Sequence, residues 1–204
     1  MRTELIVTTI DYYISLNSPW TYMGAQQFTD VLKRHGASVR VKPAKFGEVF
    51  EKTGGLPLPK RAPERQAYRL VELKRWSELR KIPLTIKPKF FPSDETKGVR
   101  LVIAADRQGL DALRLSLELG RALWEREESL ADDAAIRAAA MRAGIDMDAV
   151  MAKAPDAAAL DAVWDANTKE AVGRGVFGAP SYVLPSGEIF WGQDRVDFLD
   201  RALR

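Results

Sequence analysis

The 204-residue chain contains no cysteine and a single histidine, His35. The first absence excludes disulfides, thiolate metal sites and any cysteine nucleophile, and the second excludes a multi-histidine metal cage. Redox chemistry on the protein's own side chains is excluded with them. Long hydrophobic runs are missing as well: no stretch approaches the roughly 20 uninterrupted apolar residues of a membrane helix. The opening MRTELIVTTIDYYIS has an early arginine, then an acid and threonines, with no apolar core or small-residue cleavage site, so it reads as a first strand and not a leader. A cytoplasmic protein with no membrane partner is the expectation.

What is present is 46% hydrophobic residues, enough for one good core, and a net charge of +3. The charge is uneven. Residues 60 to 89 carry ten Lys or Arg against Glu64, Glu72 and Glu78, a segment of +7 that leaves the rest at −4. Nucleic-acid binding would want aromatic or glycine-rich interleaving and a known module, and neither is found. A solvated helix face explains such a run, and so does a field that attracts a small, multiply anionic ligand.

Leu5 to Val7 and Tyr12 to Leu16 are β-branched and aromatic, predicting one early strand or two short ones around Thr8 to Asp11. Ser18-Pro19 opens a helix with an N-cap serine and a proline at its first position. Its apolar face runs through Tyr22, Ala25, Phe28, Val31 and Leu32 to a stop at Gly36. Val39 to Lys42 alternates like a second strand, and β-α-β normally lays two strands side by side in parallel. Helical periodicity then dominates from Phe46 to Ala171, with stripes at 99 to 126, 132 to 143 and 156 to 172. Proline-rich breaks fall at 54 to 59 and 82 to 94. At the end, Ser181 to Leu184 and Glu188 to Trp191 flank Pro-Ser-Gly as a hairpin, and Asp194 is placed to cap a last helix from Arg195 to Leu203. This order describes an α/β, thioredoxin-like β-α-β and β-β-α core with a large all-helical insertion. The expected division is a thioredoxin-like domain of residues 1–43 and 173–204 and a helical insertion domain of residues 44–172. Order alone leaves other α/β folds open.

Ser18 sits where a strand ends and a helix begins, and free N–H groups and the helix dipole there favour an anion such as a thiolate. Its hydroxyl can cap the helix and still donate its proton to a bound sulfur. Plain capping is the competing explanation. Pro180 follows the glycines of GRGVFGAPSY and precedes a predicted strand, as an ordinary turn proline or a cis one. GQDRVDFL offers backbone amides at another helix start together with the Asp194 carboxylate.

Five segments together carry a resemblance: Tyr12-Tyr-Ile-Ser-Leu-Asn-Ser-Pro-Trp-Thr-Tyr22, Ala67-Tyr-Arg-Leu through Pro83-Leu84, Lys89-Phe-Phe-Pro92, Gly175-Val-Phe-Gly-Ala-Pro-Ser181 and Trp191-Gly-Gln-Asp-Arg195. The chain resembles, nearly end to end, the 2-hydroxychromene-2-carboxylate isomerases. These group with kappa-class glutathione transferases and are related to bacterial disulfide oxidoreductases of thioredoxin-like fold. The resemblance implies glutathione as cofactor, with Ser18 as the catalytic residue at its sulfur. It implies Pro180 as a cis-proline whose neighbour Ala179 pairs its backbone with the tripeptide like an added strand. Gln193 and Asp194 match the pair holding the γ-glutamyl end, and Arg65 falls where a ligand-facing lysine is common. Trp20, Phe90, Phe91 and Pro92 are candidates to line an aromatic pocket. Departures stand at Gly55, where an asparagine is common, at Asn17, where the family has an apolar residue, and at Ser15, where it has an acid. The implied activity is glutathione-dependent isomerisation of an aromatic or bicyclic carboxylate in aromatic-compound degradation, by a homodimer. A kappa-type transferase or peroxidase and a non-catalytic glutathione- or peptide-binding module are the alternatives. A dithiol oxidoreductase is excluded, because Asn17 to Tyr22 stands where Cys-x-x-Cys would.

Overall fold

A computed structural model describes residues 7–204. The expected strand at Leu5 to Val7 lies outside these residues except for Val7, which is exposed ahead of the sheet. The first strand, β1, is Thr9–Ile14, so Thr8 to Asp11 is not a break; the chain turns at Leu16 and Asn17. Helix α1, Pro19–His35, begins and ends where its local chemistry directs. Ser18 Oγ accepts from Thr21 N at 3.2 Å, Lys33, Arg34 and His35 occupy the last turn, and Gly36 takes a left-handed φ of 60°. Strand β2, Ser38–Pro43, lies parallel to β1, with Tyr12 opposite Val41.

The helical stretch contains α2 (Phe46–Thr53), α3 (Pro63–Arg80), α4 (Thr96–Arg107), α5 (Ala112–Trp124), α6 (Asp133–Arg142), α7 (Met147–Lys153) and α8 (Ala157–Gly173). The single stripe expected over 99 to 126 is two helices. Gly109 adopts a φ of 70°, and Asp111 starts α5 afresh by accepting from Arg114 N at 2.9 Å. Strands β3 (Ser181–Val183) and β4 (Ile189–Trp191) form the expected hairpin, and α9 (Val196–Ala202) closes the described chain. The sheet order is β2-β1-β3-β4, with β3 antiparallel to both neighbours.

The central strand is covered on both faces. Ile10, Tyr12 and Ile14 point into the larger cluster with α1, α4 and α5, where the Tyr12, Phe28 and Tyr182 rings meet at 4.7–5.0 Å. Tyr13 and Val183 point the other way, against Val49 of α2 and Ala171 of α8. The chain crosses closely at Gly24 of α1: a Cβ there would stand 2.8 Å from the Tyr182 hydroxyl and 3.0 Å from Gln193 Cβ. That approach brings the segment after β4 against α1. No helix among the described residues is long and apolar enough to cross a membrane.

Candidate functional site

The site forms where the start of α1, the segment before β3 and the segment after β4 converge. Ser18 is extended (φ −83°, ψ 117°), and its Oγ lies 3.5 Å from the Ala179 carbonyl oxygen while accepting from Thr21 N. The long contact to Ala179 leaves the hydroxyl proton weakly engaged. The Ala179–Pro180 bond is cis, and Gly192 N donates to Pro180 O at 2.8 Å, tying the two segments together.

Gln193 is 2% exposed, yet it borders a cleft. Its carbonyl accepts from Arg80 Nη2 at 2.8 Å, and Arg80 Nη1 also donates to Met23 O at 3.1 Å, so α3 pins this segment to α1. Gln193 Oε1 is buried without a hydrogen-bond partner among the described residues. Asp194 does not cap the last helix. It sits in a 3-10 turn, Gln193–Arg195, with its carboxylate on Arg195 Nη1 at 2.6 Å, and α9 starts one residue later than expected, without a side-chain cap. Gly192, at φ 102°, lets that carboxylate fold back: a Cβ there would lie 2.6 Å from Asp194 Oδ1.

The cleft has a volume of about 640 Å³ and α3 forms its opposite wall. Arg61, Arg65 and Arg69 recur every four residues and all face it. Arg75 pairs with Glu72 and Arg195 with Asp194, but Arg61, Arg65 and Arg69 make no ion pair among the described residues. The Arg69 guanidinium lies 5.5 Å from the Phe91 ring and 5.9 Å from the Trp124 ring. Burial, aided by the charge of Arg61, lowers its pKa to about 10. Burial and the neighbouring Arg65 also lower Arg61. Glu64, Glu72 and Asp194 also line the cleft, but none of them pairs with Arg61, Arg65 or Arg69, which leaves three guanidiniums able to take an anion.

Of the residues named from sequence, Trp20, Arg65, Ala179, Gln193 and Asp194 line this one cleft, and Ser18 and Pro180 adjoin it through Ala179. Phe90, Phe91 and Pro92 do not line it. Phe91 turns inward onto Trp124, with ring centroids 4.8 Å apart, and Arg69 covers it; Phe90 lies at the surface under Lys89, and Pro92 is exposed. The aromatic lining comes instead from Trp20, Tyr68, Trp76 and Trp191. Gly55 is also outside the lining, and a Cβ there would meet the Phe50 ring at 2.5 Å, so this ring fills the space a side chain would need. Arg61, Arg69 and Arg80 were missed. The four-residue spacing of Arg61, Arg65 and Arg69 was visible, but a solvated helix face has the same spacing.

A four-stranded mixed sheet with a helix-starting serine facing a cis-proline segment defines a thioredoxin-like protein. The family model for the DSBA-like thioredoxin domain matches residues 9–204, and the chain belongs to that family. It is 28% identical over 196 residues to a 2-hydroxychromene-2-carboxylate isomerase of Sphingobium xenophagum, covering 96% of this chain and 97% of the relative. It is 25% identical to glutathione S-transferase kappa 1 of Caenorhabditis elegans, over 96% and 90% of the two chains. A solved structure of 2-hydroxychromene-2-carboxylate isomerase superposes with a TM-score of 0.75 at 23% identity, over 96% and 94% of the chains. The relatives it resembles thus include named isomerases and a named glutathione transferase.

Proposed function

We propose that the chain binds glutathione in this cleft and isomerises an aromatic or bicyclic carboxylate. The observation that carries the reading is the cleft itself. Arg61, Arg65 and Arg69, without ion-pair partners among the described residues, line it together with Ala179, Gln193 and Asp194, so the walls offer donors for carboxylates and, in the Asp194 carboxylate, an acceptor for an ammonium group. Its volume of about 640 Å³ falls within the range of about 300–1,000 Å³ usual for small-molecule sites. Gln193 and Asp194 would hold the γ-glutamyl end, Ala179 would pair with the peptide backbone, and Arg65 would take a terminal carboxylate. When bound, glutathione supplies the thiolate that a cysteine-free chain lacks, for reversible conjugate addition to a double bond that must lose its double-bond character before it can rotate.

The protein's own contribution is binding, orientation and charge. The Ser18 hydroxyl donates to the sulfur and, with the amides at the start of α1, favours its anionic form. Arg69, unpaired and braced by two rings, holds the substrate carboxylate. The aromatic walls of Trp20, Tyr68 and Trp76 stack on its rings and exclude water. The test is turnover of 2-hydroxychromene-2-carboxylate with and without glutathione, alongside a panel of electrophilic halides and hydroperoxides. Glutathione-dependent isomerisation supports the reading. Turnover of the halide panel alone would make the chain a transferase, and glutathione binding without any turnover would make it a binding module.

A further inference from the structure

Two residues just before Ser18, Ser15 and Asn17, are tied to the start of α4. Residues 15 to 18 form the turn that joins β1 to α1, closed by Ser18 N donating to Ser15 O at 3.1 Å. Ser15 Oγ donates to both carboxylate oxygens of Glu95, at 3.1 and 3.0 Å, and Asn17 N donates to Glu95 Oε2 at 2.9 Å. The Asn17 side chain completes a second clasp, donating to Ser93 O and accepting from Ser93 N, each at 2.9 Å. Glu95 thus stands at the start of α4 with donors converging on it from the turn that carries Ser18. Its cations are elsewhere: Lys97 pairs with Asp133 and Arg100 with Asp161, Asp94 bonds Thr96 N, and the facing residues Ser15, Leu16, Asn17 and Ser93 carry no charge. Burial pushes the Glu95 carboxyl above the usual carboxylate range in spite of these donors.

We infer that Glu95 is a positioning residue for the Ser18 site, its ionised carboxylate fixing the Ser15–Ser18 turn so that the serine hydroxyl and the first amides of α1 face the bound sulfur. The Asn17 amide can only donate and needs an accepting oxygen, whereas the Ser15 hydroxyl can also accept; a proton on Glu95 removes the charge that strengthens both bonds and so weakens the hold on the turn. The sign for stability runs the other way. A carboxyl whose pKa is raised by the fold stabilises it when protonated, below its unfolded pKa, and loses that contribution as pH rises through the folded value. Where Glu95 is ionised it is therefore a cost to stability, set against the turn it organises.

This inference rests on the proposed glutathione reaction, and its test separates the two. Glu95→Gln keeps the shape and removes the charge. At pH 8 its kcat/KM for the glutathione-dependent isomerisation is expected to fall about tenfold, the difference between a charge-assisted and a neutral hydrogen bond. Its Tm at that pH should be equal to or above wild type. One protonation should vanish from the acid limb of the pH profile. Hydrogen exchange at the Asn17 and Ser18 amides supplies a readout that needs no substrate: protection in wild type should drop as pH falls through the Glu95 titration, and in Glu95→Gln it should be low and independent of pH. Wild-type kinetics and pH-dependent protection in the variant would overturn the inference, as would a lowered Tm with an unchanged acid limb. If wild type binds no glutathione, the proposed function fails and the exchange experiment still decides the role of Glu95.

Discussion

Replacing Ser18 separates its two roles. As the N-cap of α1 its oxygen accepts from Thr21 N at 3.2 Å, and losing such a cap to alanine costs about 1 kcal/mol. In a chain of this length that is a fall of roughly 2–4 °C in Tm. Glycine at an N-cap costs only a few tenths of a kcal/mol, about 1 °C here. Catalysis should respond differently. Among the described residues the hydroxyl proton has only the Ala179 carbonyl at 3.5 Å as a partner, so turning it to a thiolate forfeits little. Removing one donor to a developing or resident anion costs about 10²–10³ in rate in well-studied oxyanion sites. The lower end, about 2.7 kcal/mol, is expected because the first amides of α1 remain. Ser18→Ala and Ser18→Gly should therefore lose about a hundredfold in turnover alike, while differing in stability. Glutathione affinity should change by less than about threefold, since Gln193, Asp194, Ala179 and Arg65 supply the other contacts. The assay is isomerisation of 2-hydroxychromene-2-carboxylate, with thiolate absorbance of bound glutathione followed against pH and thermal melts of each variant. A wild-type rate and thiol pKa in both variants would leave Ser18 as a helix cap alone.

Arg69→Ala should raise KM for the aromatic carboxylate tenfold or more, and should lower Tm by what its contacts with the Phe91 and Trp124 rings contribute; an unchanged KM in steady-state kinetics would remove it from the substrate site. Gly24→Ala forces a methyl to within 2.8 Å of the Tyr182 hydroxyl and 3.0 Å of Gln193 Cβ, and urea denaturation should show a loss of about 1–3 kcal/mol together with weaker glutathione binding; wild-type stability would mean that α1 and Gln193 can separate freely. Asp11 is buried, which alone would raise its pKa, but Arg40 (Nε to Oδ1 at 2.7 Å), Lys42 and Arg174 outweigh burial and hold it below its ordinary 3.8. Its stabilisation is therefore present above that value and lost as pH falls through the lower folded one, so Asp11→Asn should cost about 2–3 kcal/mol at pH 7, less than for a sealed pair because Arg40 reaches solvent. Urea melts at several pH values would check this, and a deficit that does not shrink toward pH 3 would contradict it.

The parts of the fold legible in the sequence are those set by local chemistry. Ser18, Pro19 and Gly36 bound α1 through a cap, a missing amide and a left-handed stop, all within the helix's own residues. The Pro-Ser-Gly turn between β3 and β4 is equally local. The split between α4 and α5 was hidden because their apolar stripes run on through Gly109, and the start of α9 was misplaced because Asp194 turns to Arg195 instead of its helix. At the site, the resemblance supplied Ser18, Arg65, Ala179, Gln193 and Asp194, but nothing near Arg69 in sequence shows that Phe91 and Trp124 will brace it. Ser15 and Glu95 lie 80 residues apart, and only the folded chain brings a carboxylate to the turn that holds the serine. Phe90 and Phe91 show the converse: adjacent aromatics read as a pocket wall, whereas one packs into the core and the other lies at the surface.

A crystal structure of the protein grown with millimolar glutathione bears most directly on the proposed function. The expected density places the sulfur within hydrogen-bond distance of Ser18 Oγ, the cysteinyl backbone against Ala179 and the γ-glutamyl end on Gln193 and Asp194. A cleft without glutathione under those conditions, or the tripeptide bound with its sulfur away from Ser18, would contradict the reading.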